Sequence, residues 1–156
     1  MAQAPEHITI IPDDFRMEHV GTLVDGGLFY CETQIFYDGR SSIIYYAAYT
    51  FEADGTLRHP NIERLGARGS YTQDEAAELG DRLLEQLGPR TTATIKVRPF
   101  EVEFDSLLFG LVPRAIGADG EEIALEDADE DDVRVEAMPG NTISWYAPWD
   151  EGGYDT

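Results

Sequence analysis

Cysteine is almost absent from this sequence. Cys31 is the only one in 156 residues, so no internal disulfide can form and the fold must rest on its core. Lysine is as scarce: Lys96 stands alone, and the other ten of eleven basic residues are arginines, as in the proteins of GC-rich genomes. The three histidines, His7, His19 and His59, have no helical or loop spacing for a metal, and neither HExxH nor CxxC occurs, so no zinc motif is present. No apolar run reaches the roughly 18 residues a membrane-spanning helix needs. The opening MAQAPEHITIIPDDF has no basic start and no apolar signal core, so no export signal is expected. Together with the lone cysteine this predicts a cytoplasmic protein. No motif requires a cofactor, and none is expected.

Acidic charge is what the sequence has in excess. Thirty-one Asp and Glu against eleven Lys and Arg give a net charge of −20. Such a surface repels nucleic acid and anionic membranes and attracts cations and basic proteins. Its other reading is solubility, or membership of an acid-rich proteome.

Residues 72–87, TQDEAAELGDRLLEQL, form the one convincing helical stretch. Thr72 and Glu75 make a capping box, Asp74 and Glu75 sit at the positive end of the dipole, and Ala76, Leu79, Leu83 and Leu87 share a stripe. Gly88-Pro89 ends it. Around it the pattern is strand and turn. His19–Val24 and Leu28–Tyr37 flank an Asp25-Gly26-Gly27 hairpin turn. The uncharged IIYYAAYTF of residues 43–51 predicts a central strand, with Ile43, Tyr45, Ala47, Tyr49 and Phe51 on the face that meets the helix. Asp54-Gly55 turns the chain into residues 56–65, a strand that Pro60 makes either an edge strand or one that ends early. The apolar parity switches between Ile95/Val97 and Phe100/Val102/Phe104, which predicts a bulge at Arg98-Pro99. Residues 117–132 hold nine acidic residues and no basic one and read as a solvated, mobile acidic loop. Val133/Val135 and Ile143/Trp145 read as a last hairpin turned at Pro139-Gly140-Asn141. The expected fold is α+β: one domain over 1–156, an antiparallel twisted sheet, flat or curled, with the 72–87 helix on one face.

The candidate chemistry is mostly carboxylate. Glu101, Glu103 and Asp105 alternate along one strand, on its solvated side or as a surface for a basic partner. Asp127, Asp129 and Asp131 echo a calcium loop, but the sixth and twelfth positions of that loop would be Asp132 and Met138 rather than Gly and Glu, so no dedicated metal site is expected. Trp145, Tyr146, Trp149 and Tyr154, with Asp150 and Asp155 beside them, could anchor an interface or, the favoured reading, fold back to cap the sheet. Cys31 lies mid-strand, and simple hairpin registers pair His19 with Glu32 or Gln34, so the thiol has no base beside it. Gly26-Gly27 and Gly152-Gly153 open no helix and are turn glycines, not a phosphate cradle.

Several short stretches carry a resemblance. The tail Trp149-Asp150, Gly152-Gly153, Tyr154-Asp155-Thr156, the opening His19-Val20-Gly21-Thr22 with Asp25-Gly26 and Phe29, and Val102–Val112 with Phe109-Gly110-Leu111-Val112 resemble a group of small acidic proteins of GC-rich bacteria, mostly actinobacteria. Some of these are labelled formate hydrogenlyase regulatory proteins. The resemblance implies a host type and supplies no catalytic residues.

Three functions of different classes fit these residues. The first is a non-enzymatic protein that holds a basic partner by charge, in the manner of an immunity protein or inhibitor, through Glu101, Glu103, Asp105, Asp127, Asp129, Asp131, Trp149 and Asp150. The second is a small-molecule- or metal-responsive regulatory domain, with Tyr45, Tyr46, Tyr49 and Phe51 lining a pocket. The third is an enzyme using buried carboxylates. The first needs no catalytic set, and none is found.

Overall fold

The computed structural model describes residues 3–140 and 143–156. Asn141, expected in the last hairpin turn, lies outside them. The chain divides into two compact units, one of residues 10–95 and one combining residues 1–9 with 96–156. The hydrophobic pattern does not mark that division. Both crossings fall within strands, β1 (Ile8–Ile10) and β7 (Ile95–Val97), which pair with each other as a two-stranded ribbon.

The 10–95 unit is a five-stranded antiparallel sheet with one helix. Its strands are β2 (His19–Leu23), β3 (Leu28–Tyr37), β4 (Ser42–Phe51), β5 (Leu57–Ala67) and β6 (Arg90–Thr92), in the order β5-β4-β3-β2-β6. The apolar run is central, as its lack of charge requires. Pro60 sits opposite Tyr49 in β5, an edge strand with two register irregularities against β4. An edge position costs proline no ladder bond on its open side.

The helix α1 spans Gln73–Gln86. Thr72 caps it with a complete capping box: the Glu75 N–H donates to Thr72 Oγ1 at 3.1 Å and the Thr72 N–H to Glu75 Oε1 at 3.0 Å. Its buried residues Leu79 and Leu83 pack against Ala48, with Cys31, Tyr46 and Leu65 around them. This corrects the expected face. The helix lies on the even-numbered side of β4, where small Ala48 leaves room for leucines. Tyr45, Ala47, Tyr49 and Phe51 occupy the opposite side and are at most 1% exposed. Both sides of β4 are apolar, so the period-2 pattern could not tell which one takes the helix.

The second unit is a six-stranded antiparallel sheet. Its strands are β8 (Phe100–Phe104), β9 (Leu107–Ile116), β10 (Glu122–Ile123), β11 (Val133–Met138), β12 (Ser144–Tyr146) and β13 (Tyr154–Asp155). The order is β10-β9-β11-β12-β13, with β8 also pairing β9. The strands thus form three sheets rather than the single sheet expected. At Arg98-Pro99 the chain does not bulge. It ends β7 and starts β8 in another sheet, which resolves the change of parity by breaking the strand.

Turn chemistry repeats across both units. In the hairpins at Asp25-Gly26, Asp54-Gly55 and Asp119-Gly120 the glycine has φ of +91, +90 and +84°. In each, the aspartate Oδ1 accepts the N–H two residues on, at 2.9–3.1 Å. Positive φ is free for glycine, and the Asx contact fixes the turn. Gly110 is glycine for a different reason. Its φ is +138°, and a Cβ there would sit 2.2 Å from the Phe100 carbonyl oxygen, so any side chain would push β8 off β9.

Candidate functional site

All the carboxylates singled out from the sequence lie in the unit of residues 1–9 and 96–156. That unit holds seventeen acidic and four basic residues, net −13, whereas the 10–95 unit holds fourteen and seven, net −7. Glu101 and Glu103 are exposed on one side of β8, while Phe100, Val102 and Phe104 are half-buried on the other. Asp105, with Ser106, is the turn after them. Their φ values of +55 and +60° and the Phe104–Leu107 pairing make a two-residue type I′ turn.

The acidic segment is built rather than featureless. Residues 117–121 turn β9 into β10, and two 3-10 turns follow, Leu125–Asp127 and Glu130–Asp132. Asp129 caps the second, its N–H donating to Asp132 Oδ2 at 3.4 Å. Ala128, between them, is 2% exposed and packs with Ala115 and Val133, and Ile123, Leu125 and Trp149 close around these. The apolar residues at 123, 125 and 128, interleaved with the acids, are the sequence signal of this anchoring. Asp127, Asp129 and Asp131 are thereby held exposed. Trp149 is half-buried in the anchoring cluster, and Asp150 beside it is exposed. The structure brings Trp149 to the 3-10 turns. No ion pair or hydrogen bond joins the β8 carboxylates to those turns among the described residues.

The basic residues of this unit are largely spent. Arg114 donates to both Glu122 oxygens at 3.0 and 3.1 Å and to Glu136 at 2.5 Å. The hydrogen bonds to Glu122 and the charge of Glu136 raise its pKa, and Glu122 is lowered in return by Arg114. Arg98 lies 3.2 Å from Glu6, and Arg134 rests over the Tyr146 ring at 5.7 Å. Lys96 lines a cleft of about 230 Å³ with His7, Thr9, Trp149 and Asp150. Its walls are tied by the Thr9 N–H donating to the Trp149 carbonyl at 2.9 Å.

The 10–95 unit holds a polar cluster that the sequence reading passed over. Glu32 is 8% exposed in β3, on the side away from α1, and the Tyr30 hydroxyl donates to its Oε2 at 2.6 Å. Tyr30, Gln34 and Tyr49 on the same side are at most 1% exposed. Burial raises the Glu32 carboxyl to about 7, against the lowering effects of Tyr30, Gln34 and the more distant Arg16 charge. Gln34 favours the carboxylate without closing a well-aligned hydrogen bond on Oε1. Glu32 shares the parity of Leu28 and Tyr30, and that was the available signal. Of the four aromatics proposed to line one pocket, Tyr46 lies on the helix side and the other three on this one.

The structure also changes the surroundings of Cys31. His19 pairs with Cys31 itself, not with Glu32 or Gln34, but His19 is exposed. Cys31 is half-buried, and desolvation pushes its thiol up to about 12, which disfavours the thiolate at neutral pH. Beside the C-terminal turn of α1 runs a groove of about 420 Å³, lined by Leu23, Leu83, Leu87, Arg58, His59 and Gln86 among others. Arg58 is held there by Asp25 and Glu52 at 2.9 and 3.0 Å. Among the described residues no three His, Cys, Asp or Glu side chains converge on a metal position, and no helix is long and apolar enough to cross a membrane. No protein family, curated protein or solved structure matches the chain.

Proposed function

We propose that this chain is a non-catalytic acidic protein that holds a basic partner protein by charge, in the manner of an immunity protein or inhibitor. One observation carries the reading. In the more acidic unit Glu101, Glu103, Asp127, Asp131 and Asp150 are exposed and have no basic partner among the described residues. Internal ion pairs engage Arg98 and Arg114, and Arg134 is taken up by Tyr146. Uncompensated charge on a rigid surface speeds association with a cationic surface and makes it depend on salt. A reducing, cytoplasmic setting goes with this reading, in keeping with a single free, half-buried cysteine.

The test is a comparison of capture by the intact chain at low and at about 1 M salt, where the Debye length falls to about 3 Å. It is repeated with Glu101, Glu103, Asp127 and Asp131 neutralised, and with exposed acids of the 10–95 unit, Asp74 and Glu78, neutralised instead. A basic partner lost at high salt and in the first variant alone is expected. A partner retained in both overturns the reading. A small-molecule-responsive domain is the second reading, supported by the mixed apolar and polar groove at Leu83 and His59.

A further inference from the structure

We propose that the open edge of β8 is where the basic partner docks, by adding an extended segment with alternating basic and apolar residues as a further strand. This rests on the charge-based reading above and supplies its geometry.

The Asp105-Ser106 turn fixes which backbone groups of β8 face β9. In a two-residue type I′ hairpin the flanking residues, here Phe104 and Leu107, form a hydrogen-bonded pair. Counting back in the observed register, Val102 opposite Phe109 and Phe100 opposite Leu111 are pairs of the same kind. Glu101 and Glu103 fall between them, so their backbone N–H and C=O groups point away from β9. Among the described residues β8 pairs with no strand other than β9, and no hydrogen bond reaches those outward groups. An unpaired row of this kind is a template for another strand.

The side chains decide which strand. Glu101 and Glu103 project from one side of the edge and the half-buried Phe100, Val102 and Phe104 from the other. An added strand is read at the same period of two. Its basic residues lie beside the two carboxylates and its apolar residues extend the aromatic row. Opposite charges across strands attract and like charges repel. The same glutamates therefore turn away β8 of a second copy, which would bring Glu against Glu, while accepting a cationic strand. The edge is also held firm: Gly110 admits β9 close against Phe100, and the Phe104 and Phe109 rings meet edge to face at 5.9 Å. The other long edge, β5, lacks these features, since Pro60 and two register irregularities interrupt it.

The experiment uses the full chain and a short synthetic peptide alternating arginine and valine, with a glutamate–valine peptide as control. Amide exchange is followed by NMR and affinity by calorimetry. Binding of the cationic peptide is expected to slow exchange of the Glu101 and Glu103 amides about tenfold or more. Glu103→Pro removes one outward N–H together with the charge, and Glu103→Thr removes the charge alone. The proline variant is expected to bind roughly tenfold more weakly than the threonine variant, the worth of about one hydrogen bond. The protection measurement on the unaltered chain stands even if the proline variant loosens the hairpin. Salt-sensitive binding without protection at these two amides overturns strand addition and leaves the charge-based reading standing. Binding indifferent to salt and to the sign of the peptide overturns both. Absence of binding overturns the docking proposal.

Discussion

Replacing Glu32 by glutamine should stabilise the 10–95 unit at neutral and alkaline pH and remove most of a pH dependence that the natural residue imposes. The carboxyl is buried, with one good donor, the Tyr30 hydroxyl, and its pKa is raised from 4.5 to about 7. Between those values the folded state holds a proton that the unfolded state has released. Stability therefore falls as pH rises through that window, by about 1.4 kcal/mol per unit, and the loss is complete above the folded pKa. The rise from 4.5 to about 7 amounts to ~3 kcal/mol, the most that glutamine can recover at pH 8 before the cost of satisfying its new N–H groups. Asp25, Asp38 and Glu122 are all lowered, so they act with the opposite sign and below the ordinary carboxylate range. The difference between variant and parent thus isolates Glu32.

The readout must report on the right unit. Trp145 and Trp149 are the only tryptophans and both belong to the other one, so amide exchange in β3 and β4 is the measurement of choice. Tyr30→Phe removes the group that most favours the carboxylate, so it should move the window to higher pH. A Glu32→Gln variant as pH-dependent as the parent between pH 5 and 7, or less stable than it by a constant amount at every pH, would refute the reasoning.

Other expected outcomes follow from packing and turns. Asp105→Asn with Ser106→Gly should raise stability by about 1 kcal/mol in thermal unfolding, because two non-glycine residues now hold positive φ; a loss would contradict the type I′ assignment. Gly110→Ala should cost about 2 kcal/mol or more and release β8 amides to exchange, since its Cβ has no room beside the Phe100 carbonyl. Leu83→Ala should cost about 2–4 kcal/mol, as it empties the contact between α1 and Ala48. Cys31, half-buried and with its thiol raised to about 12, should react with a thiol reagent at pH 8 more slowly in the native chain than in the unfolded one; equal rates would contradict the raised value.

Local chemistry was legible in the residues themselves. The capping box at Thr72 and Glu75, the Asp-Gly hairpins and the β11–β12 pairing each depend on neighbours a few positions away and are where the sequence pattern placed them, although β11–β12 is not the last pairing, since β13 adds to β12. The candidate carboxylates were legible as exposed, because alternation on β8 assigns Glu101 and Glu103 a side without knowledge of the rest. The anchoring of residues 117–132 was less so: three apolar residues spread among nine acids are outweighed in any window average, and only packing on Ala115 and Val133 gives them effect.

Position along the chain thus determined caps, turns and the parity of each strand, since those obey local sterics and a fixed period. Tertiary structure alone decided which side of the apolar β4 receives the helix, that Glu32 is shut away from water, and that the chain forms two units with separate sheets. Each of these turns on contacts between segments distant in sequence, where the choice depends on fit, as with the α1 leucines against Ala48.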